Sequence, residues 1–275
     1  MFPRLSLAFF LASFRDGVAT LTILSFLVLC PPAHAQTGTP VASGTAILTQ
    51  SLKAAGGSAG LGSIQDFVAT GAITFYWAGE QVQGPATVYG KGYGEFRLDA
   101  SLPQGMRSFA LSYGTGALKD SSGKVTTIPY QNTVNLGILT FPYLTLAAAL
   151  SDPLTTVSYL GLVEVSGRQA YQVQVQRHFS PQADSNGTLA GLCVTSYFVD
   201  AQTNLLLEVS DATHPVETFT ANYTHDIELG DYVTQGGYQV PMVAREKVGG
   251  QTMWQLQLSG IAFNTGLTDA TFLLQ

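Results

Sequence analysis

From residue 67 onward the chain alternates apolar and polar positions with a period of two. In 67–77, Phe67, Ala69, Gly71, Ile73, Phe75 and Trp77 fall on one face and Thr70, Thr74 and Tyr76 on the other, as in a half-buried strand. The same reading predicts strands at 82–89 and 95–102, across a turn at Gly90-Lys91-Gly92. A strand at 106–113 presents Phe109, Leu111 and Tyr113 together, and short strands at 117–119 and 124–128 flank the turn Asp120-Ser121-Ser122-Gly123. Further strands are predicted at 155–165, 170–179, 193–199, 205–209, 216–229, 238–248 and 253–263. In two of them a glutamine face is plain: Gln172, Gln174 and Gln176 alternate with Tyr171, Val173 and Val175, and Gln255 and Gln257 alternate with Leu256 and Leu258. Ten or so antiparallel strands of this kind make a single sheet, solvated on one side and filled on the other.

Two stretches leave this period. Residues 46–55 have helical spacing, with Ile47, Leu48 and Leu52 on one side and Gly56-Gly57 as the stop, and a second short helical turn follows at 60–66. Residues 136–150 are apolar nearly all round, with Pro142 early and Ser151-Asp152-Pro153 as the stop. A helix at 143–150 that is apolar on every side has to be buried, so it fills or gates the apolar side of the sheet. It is too short to span a bilayer.

The N-terminus changes the picture of where the protein works. Arg4 and Arg15 precede an apolar run at 18–29, then Pro31-Pro32 and Ala33-His34-Ala35, the layout of a cleaved secretory signal. The expected organisation is a signal peptide at 1–35 cleaved near Ala35/Gln36, a small polar leader at 36–45, and one domain at 46–275. The mature protein is then periplasmic or secreted, with no transmembrane span. Its formal charge is −7, because residues 1–35 remove two arginines and one aspartate from a chain of charge −6. With no basic stripe to neutralise phosphates, nucleic acid is not an expected partner. One cysteine, Cys193, remains; it sits in an apolar stretch as a small hydrophobe.

Candidate chemistry is sparse. His178, His214 and His225 have no metal-ligand spacing, and His225-Asp226 point to opposite faces of a strand. No nucleophile elbow, phosphate loop or dinucleotide fingerprint is present. Asp99, Glu164, Asp200, Glu208, Asp226, Glu228 and Asp231 lie near strand ends, and nothing in the sequence pairs any two of them for acid–base work. The expectation is a non-enzymatic protein without a cofactor or metal.

Several phrases in order resemble one family. They are Lys53-Ala54-Ala55-Gly56-Gly57 with Leu61, Ile64-Gln65-Asp66 and Gly71; Val165-Ser166-Gly167-Arg168-Gln169-Ala170-Tyr171; and the stretch from Phe198-Val199-Asp200 through Thr203 to Leu206. Gly230-Asp231-Tyr232, Gly236-Gly237-Tyr238, Val240-Pro241 and the run from Phe263-Asn264-Thr265-Gly266 to Phe272 complete the set. Over 46–272 the chain resembles the LolA/LolB-like superfamily of periplasmic lipoprotein carriers, within its broader lipoprotein-sorting-like group. The resemblance implies an α+β, mainly β fold: a strongly curved antiparallel sheet, an incomplete barrel, with a few helices covering its concave face. It also implies acyl chains held in the hollow, and an arginine inside the cavity that controls lipid release. Spacing singles out none of Arg97, Arg107 and Arg168 for that part.

The leading expectation is therefore an exported protein that binds a lipid, an acyl chain or another apolar ligand, in envelope lipid or lipoprotein trafficking. A lipoprotein or envelope protein would be its partner, and its oligomeric state is open. Phe75, Trp77, Phe96, Leu98, Phe109, Leu111, Val173, Val175, Leu256 and Leu258 are the candidate cavity residues, and they equally suit a plain core. The alternative is a periplasmic sensory or protein-interaction domain using the face of Tyr76, Gln172, Gln174, Gln255 and Gln257. An outer-membrane barrel and a secreted hydrolase are the remaining readings.

Overall fold

A computed structural model describes residues 43–77 and 79–274. The expected signal peptide and leader residues 36–42 lie outside the described residues. Ser43, within the stretch expected as leader, caps a helix: its Oγ accepts from the Ala46 N–H at 3.2 Å, and α1 runs Gly44–Ala55. Lys53 lies in the last turn of α1, and Gly57 N–H closes it on the Leu52 carbonyl. A one-turn helix, α2, follows at Ser58–Gly62.

Thirteen strands then form one antiparallel sheet. The first six are β1 Asp66–Trp77, β2 Glu80–Lys91, β3 Glu95–Leu102, β4 Gly105–Ser112, β5 Thr115–Lys119 and β6 Val125–Ile128. The other seven are β7 Thr155–Val165, β8 Arg168–Arg177, β9 Val194–Asp200, β10 Leu206–Thr213, β11 Tyr223–Gln235, β12 Tyr238–Val248 and β13 Gln251–Phe263. Their spatial order is β6-β5-β4-β3-β2-β1-β13-β12-β11-β10-β9-β8-β7. The sheet is thus two meanders, β1–β6 and β7–β13, joined at the β1–β13 seam, and β6 and β7 stand at its two open edges. It is curved and not closed into a barrel. One long connection, residues 129–154, passes from edge to edge and carries α3, Tyr143–Ser151. A fourth helix, α4 Thr188–Leu192, precedes β9.

The seam shows how the sequence sets the curvature. Register slips between Thr70 and Gly71, where a Cβ would lie 2.2 Å from the Gln257 carbonyl oxygen. Glycine there lets the two backbones close up at a bulge, which bends the strand. Further register shifts fall on β7, β10 and β12.

Three expectations need correcting. Tyr113 does not join Phe109 and Leu111 in the core: with Gly114 it makes a two-residue turn, both at positive φ (45° and 84°), and its side chain is 56% exposed. The turn expected at Gly90-Lys91-Gly92 lies later, because Lys91 still pairs with Glu95. The strand expected at 216–229 runs instead from Tyr223 to Gln235. Asn132 draws residue 214 out of the ladder by a reciprocal pair of bonds (2.8 and 2.7 Å), and β11 runs on past Gly230 in unbroken register with β12, with Asp231 at φ 51°.

The concave face is filled at its centre. Phe67, Ile138, Phe141, Tyr143, Leu146 and Leu206 are at most 1% exposed. Phe141 contacts Phe67 edge-on (6.0 Å) and Tyr143 (5.7 Å). Each such ring removes enough apolar surface to stabilise the fold by about 2–3 kcal/mol. Helix α3 is less uniformly buried than its composition suggests. Tyr143, Leu144 and Leu146 are buried, whereas 147–151 emerge toward solvent.

Candidate functional site

The phrases that carry the family resemblance fold into structural turns. The Asp66 carboxylate accepts bonds from Thr265 Oγ1 and from the N–H groups of Thr265, Gly266 and Leu267 at 2.6–3.0 Å. Burial would raise its pKa, but these four donors outweigh burial and hold it below the ordinary carboxylate value. Asp200 is held the same way, by the Gln202 and Thr203 N–H groups and Thr203 Oγ1, and it pairs with Arg168 at 2.7 Å.

Among the described residues, two of the openings lie at the ends of the central filling. One is a cleft of about 480 Å³ beside α3, with Tyr93, Tyr113 and Tyr130 on one side and Val175, Phe179 and Tyr197 on the other. Cys193 also lines it; burial pushes its thiol up to about 11, so it is a poor nucleophile at neutral pH. The second is a hollow of about 290 Å³ lined by Phe75, Trp77, Leu98, Phe109, Met253 and Trp254, with Arg107 and Glu246 as its charged members.

The second hollow is built from the strand alternation itself. Phe75 and Trp77, two apart on β1, stack with centroids 5.1 Å apart, and Phe75 lies directly opposite Trp254 on β13. On β3 and β4, Leu98 faces Phe109. Arg107 lies on the same face of β4 as Phe109. Its guanidinium sits 4.4 Å from the Trp77 ring centroid and 6.0 Å from that of Phe75. Glu246 enters from β12 and accepts from His225 Nε2 at 3.2 Å, while His225 Nδ1 lies 2.7 Å from Asp211. Burial would lower the imidazole pKa, but the two carboxylates reverse this and raise it to about 10. His225 is therefore an imidazolium at neutral pH.

The ten candidate cavity residues divide between these environments. Phe75, Trp77, Leu98 and Phe109 line the second hollow, and Val175 lines the cleft beside α3. Phe96, Leu111, Val173, Leu256 and Leu258 lie in the filled core, none more than 5% exposed. Among the three arginines that spacing leaves equal, Arg97 bonds Asp99 (2.9 Å) and the Thr271 carbonyl, and Arg168 bonds Asp200; Arg107 is the one that lines the hollow of Phe75 and Trp77. The Asp211–His225–Glu246 group has no sequence signal, because its members are 14 and 21 residues apart and meet only through strand register.

An open curved antiparallel sheet around a helical filling is the LolA-like class of fold, and this chain has it. Among solved structures it resembles a domain from Vibrio parahaemolyticus assigned to outer-membrane lipoprotein sorting (14% identity, TM-score 0.53, 83% of this chain and 95% of that one). It also resembles a LolA-superfamily protein from Nitrosomonas europaea (10%, 0.52, 84% and 97%) and a DUF1329-family protein from Desulfovibrio piger (11%, 0.51, 84% and 98%). No family profile and no curated protein sequence matches the chain. Identities this low establish the architecture and leave the site to its own residues.

Proposed function

We propose that this is an exported, non-enzymatic binding protein that holds an acyl chain or another apolar ligand on the concave side of its half barrel, in envelope lipid or lipoprotein trafficking. The observation that carries this reading is the apolar hollow at Phe75, Trp77, Leu98 and Phe109, left open where the central filling ends. Burying an alkyl chain there gains about 0.8 kcal/mol per CH₂ and requires no catalytic group. The likeness to a domain assigned to lipoprotein sorting points the same way. The sequence supports placing the protein in the periplasm or outside the cell, after cleavage near Ala35/Gln36. Among the described residues no helix is long and apolar enough to cross a membrane.

Mass spectrometry of lipids extracted from natively purified protein tests this reading. Co-purified acyl lipids that decline in a Phe75→Ala/Phe109→Ala variant are expected. Recovery of none, together with no saturable uptake of a fluorescent fatty acid, would sink it.

The rival reading, a protein-interaction domain, draws on β7. This eleven-residue strand stands at an open edge, and Leu160 and Leu162 are about half exposed. Such an edge can accept an added strand.

A further inference from the structure

Arginine's planar guanidinium matches a carboxylate with two donors, and on this sheet even half-exposed arginines find one. Arg97, Arg168, Arg177 and Arg245 each have a carboxylate within 3.2 Å, on Asp99, Asp200, Asp152 and Glu228 respectively. Arg107 has none within 4 Å among the described residues; its guanidinium lies instead against the faces of Trp77 and Phe75. The ring faces orient the guanidinium and leave its N–H donors without a carboxylate. They do so at the wall of an apolar hollow.

We propose that this hollow takes a single alkyl chain ending in an oxyanion, with the chain against Phe75, Leu98 and Phe109 and the anionic head bound by Arg107. The inference rests on the acyl-binding reading above and adds the class of ligand. Size argues for one chain: about 290 Å³ lies at the small end of ligand sites, which run from ~300 to 1,000 Å³, and leaves no room for two or three acyl chains. The free donors of Arg107, rather than net charge, argue for an anion. Glu246 shares the hollow, but His225 occupies its Oε1, and Asp211 holds the other side of that imidazolium. Those three groups carry one net negative charge, and Arg107 brings the total to zero. The head is therefore located by a guanidinium fork matched to two oxygens rather than by a net positive field. The cleft beside α3 lacks this property, because its arginine, Arg177, is already paired with Asp152 at 3.2 Å.

The protein carries its own probe. Its two tryptophans, Trp77 and Trp254, both line this hollow, so intrinsic fluorescence reports on it directly. The mature protein is titrated at pH 8 with dodecanoate, dodecyl phosphate, dodecanol and dodecyltrimethylammonium, each below its micelle-forming concentration. Dodecanoate and dodecyl phosphate are expected to give saturable changes at least about tenfold tighter than dodecanol, with the cationic amphiphile weakest. The ratio of the two anions tells a carboxylate head from a phosphate head. Arg107→Gln should bring the anions down to the level of dodecanol without altering dodecanol binding, and Arg107→Lys should keep part of the preference. Equal binding of dodecanol and dodecanoate by the unaltered protein, or an anion preference that survives Arg107→Gln, overturns the proposal and leaves an apolar carrier. Absence of binding by all four overturns both readings. Circular dichroism of each variant separates a lost head-group contact from a lost fold.

Discussion

His225 is a cation that the fold buries between two carboxylates, and its effect on stability has a definite sign. Its folded pKa, about 10, lies above the unfolded value of ~6.5. The stabilisation is therefore full below pH ~6.5, shrinks as pH rises, and is gone once pH passes about 10. Urea unfolding from pH 6 to 10 should show the protein losing stability across that window, with a flatter profile for His225→Gln. Equal slopes for the two proteins would refute this account. Nothing in the sequence announces this group, because side-chain spacing along one strand says nothing about partners on its neighbours. Asp200 was easier to read, because it shares a turn phrase with Thr203, which supplies both a hydroxyl and an N–H, whereas the Thr265 that serves Asp66 lies 199 residues away.

Strands were legible wherever alternation persisted, as in β1, β3 and β7, and illegible where a positive φ or a borrowed hydrogen bond intervened. β11 runs on through Asp231 although its φ is positive, and residue 214 leaves the ladder for a partner 82 residues away. The pairing of β10 with β11 carries a cost that shows only in register. Glu208 lies directly opposite Glu228, with Asp226 nearby, and burial followed by these two charges raises its pKa to about 7, partly offset by Lys247. A carboxyl with a raised folded pKa loses stability as pH climbs from its unfolded value near ~4.3 to about 7, and the cost is full above that. Glu208→Gln should accordingly raise the melting temperature at pH 8 and leave it unchanged at pH 4. A variant no more stable at pH 8 would show that the like charges are already relieved.

In the whole molecule, the central filling is tied to the sheet through a closed ring of polar bonds. The Leu206 N–H donates to Tyr143 Oη (2.9 Å), the Tyr143 hydroxyl bonds Tyr232 Oη (3.1 Å), and the Tyr232 hydroxyl donates to the Leu206 carbonyl (2.8 Å). This anchors the start of α3 to β10 and β11, and burial lifts the Tyr143 hydroxyl to about 12. Tyr143→Phe keeps the ring packing and orphans a buried N–H, which should cost about 1–3 kcal/mol in chemical denaturation and speed hydrogen exchange at Leu206. Unchanged exchange there would mean the filling is held by packing alone. Composition indicated a buried helix at this place. It could not say that the helix would be buried over one half only, which leaves the cleft beside α3.

The β1–β13 seam has a consequence for how the chain is made. Every other strand pairs with neighbours close in sequence, whereas residues flanking this seam, Gln65 and Asn264, are 199 positions apart. A chain synthesised from its N-terminus completes β1 long before its second neighbour exists. Until β13 arrives, one side of β1 stays an open edge bearing Phe67, Ile73 and Phe75, the kind of surface on which nascent chains stick to one another. Joining the two meanders closes the longest loop in the protein and is the natural slow step of folding.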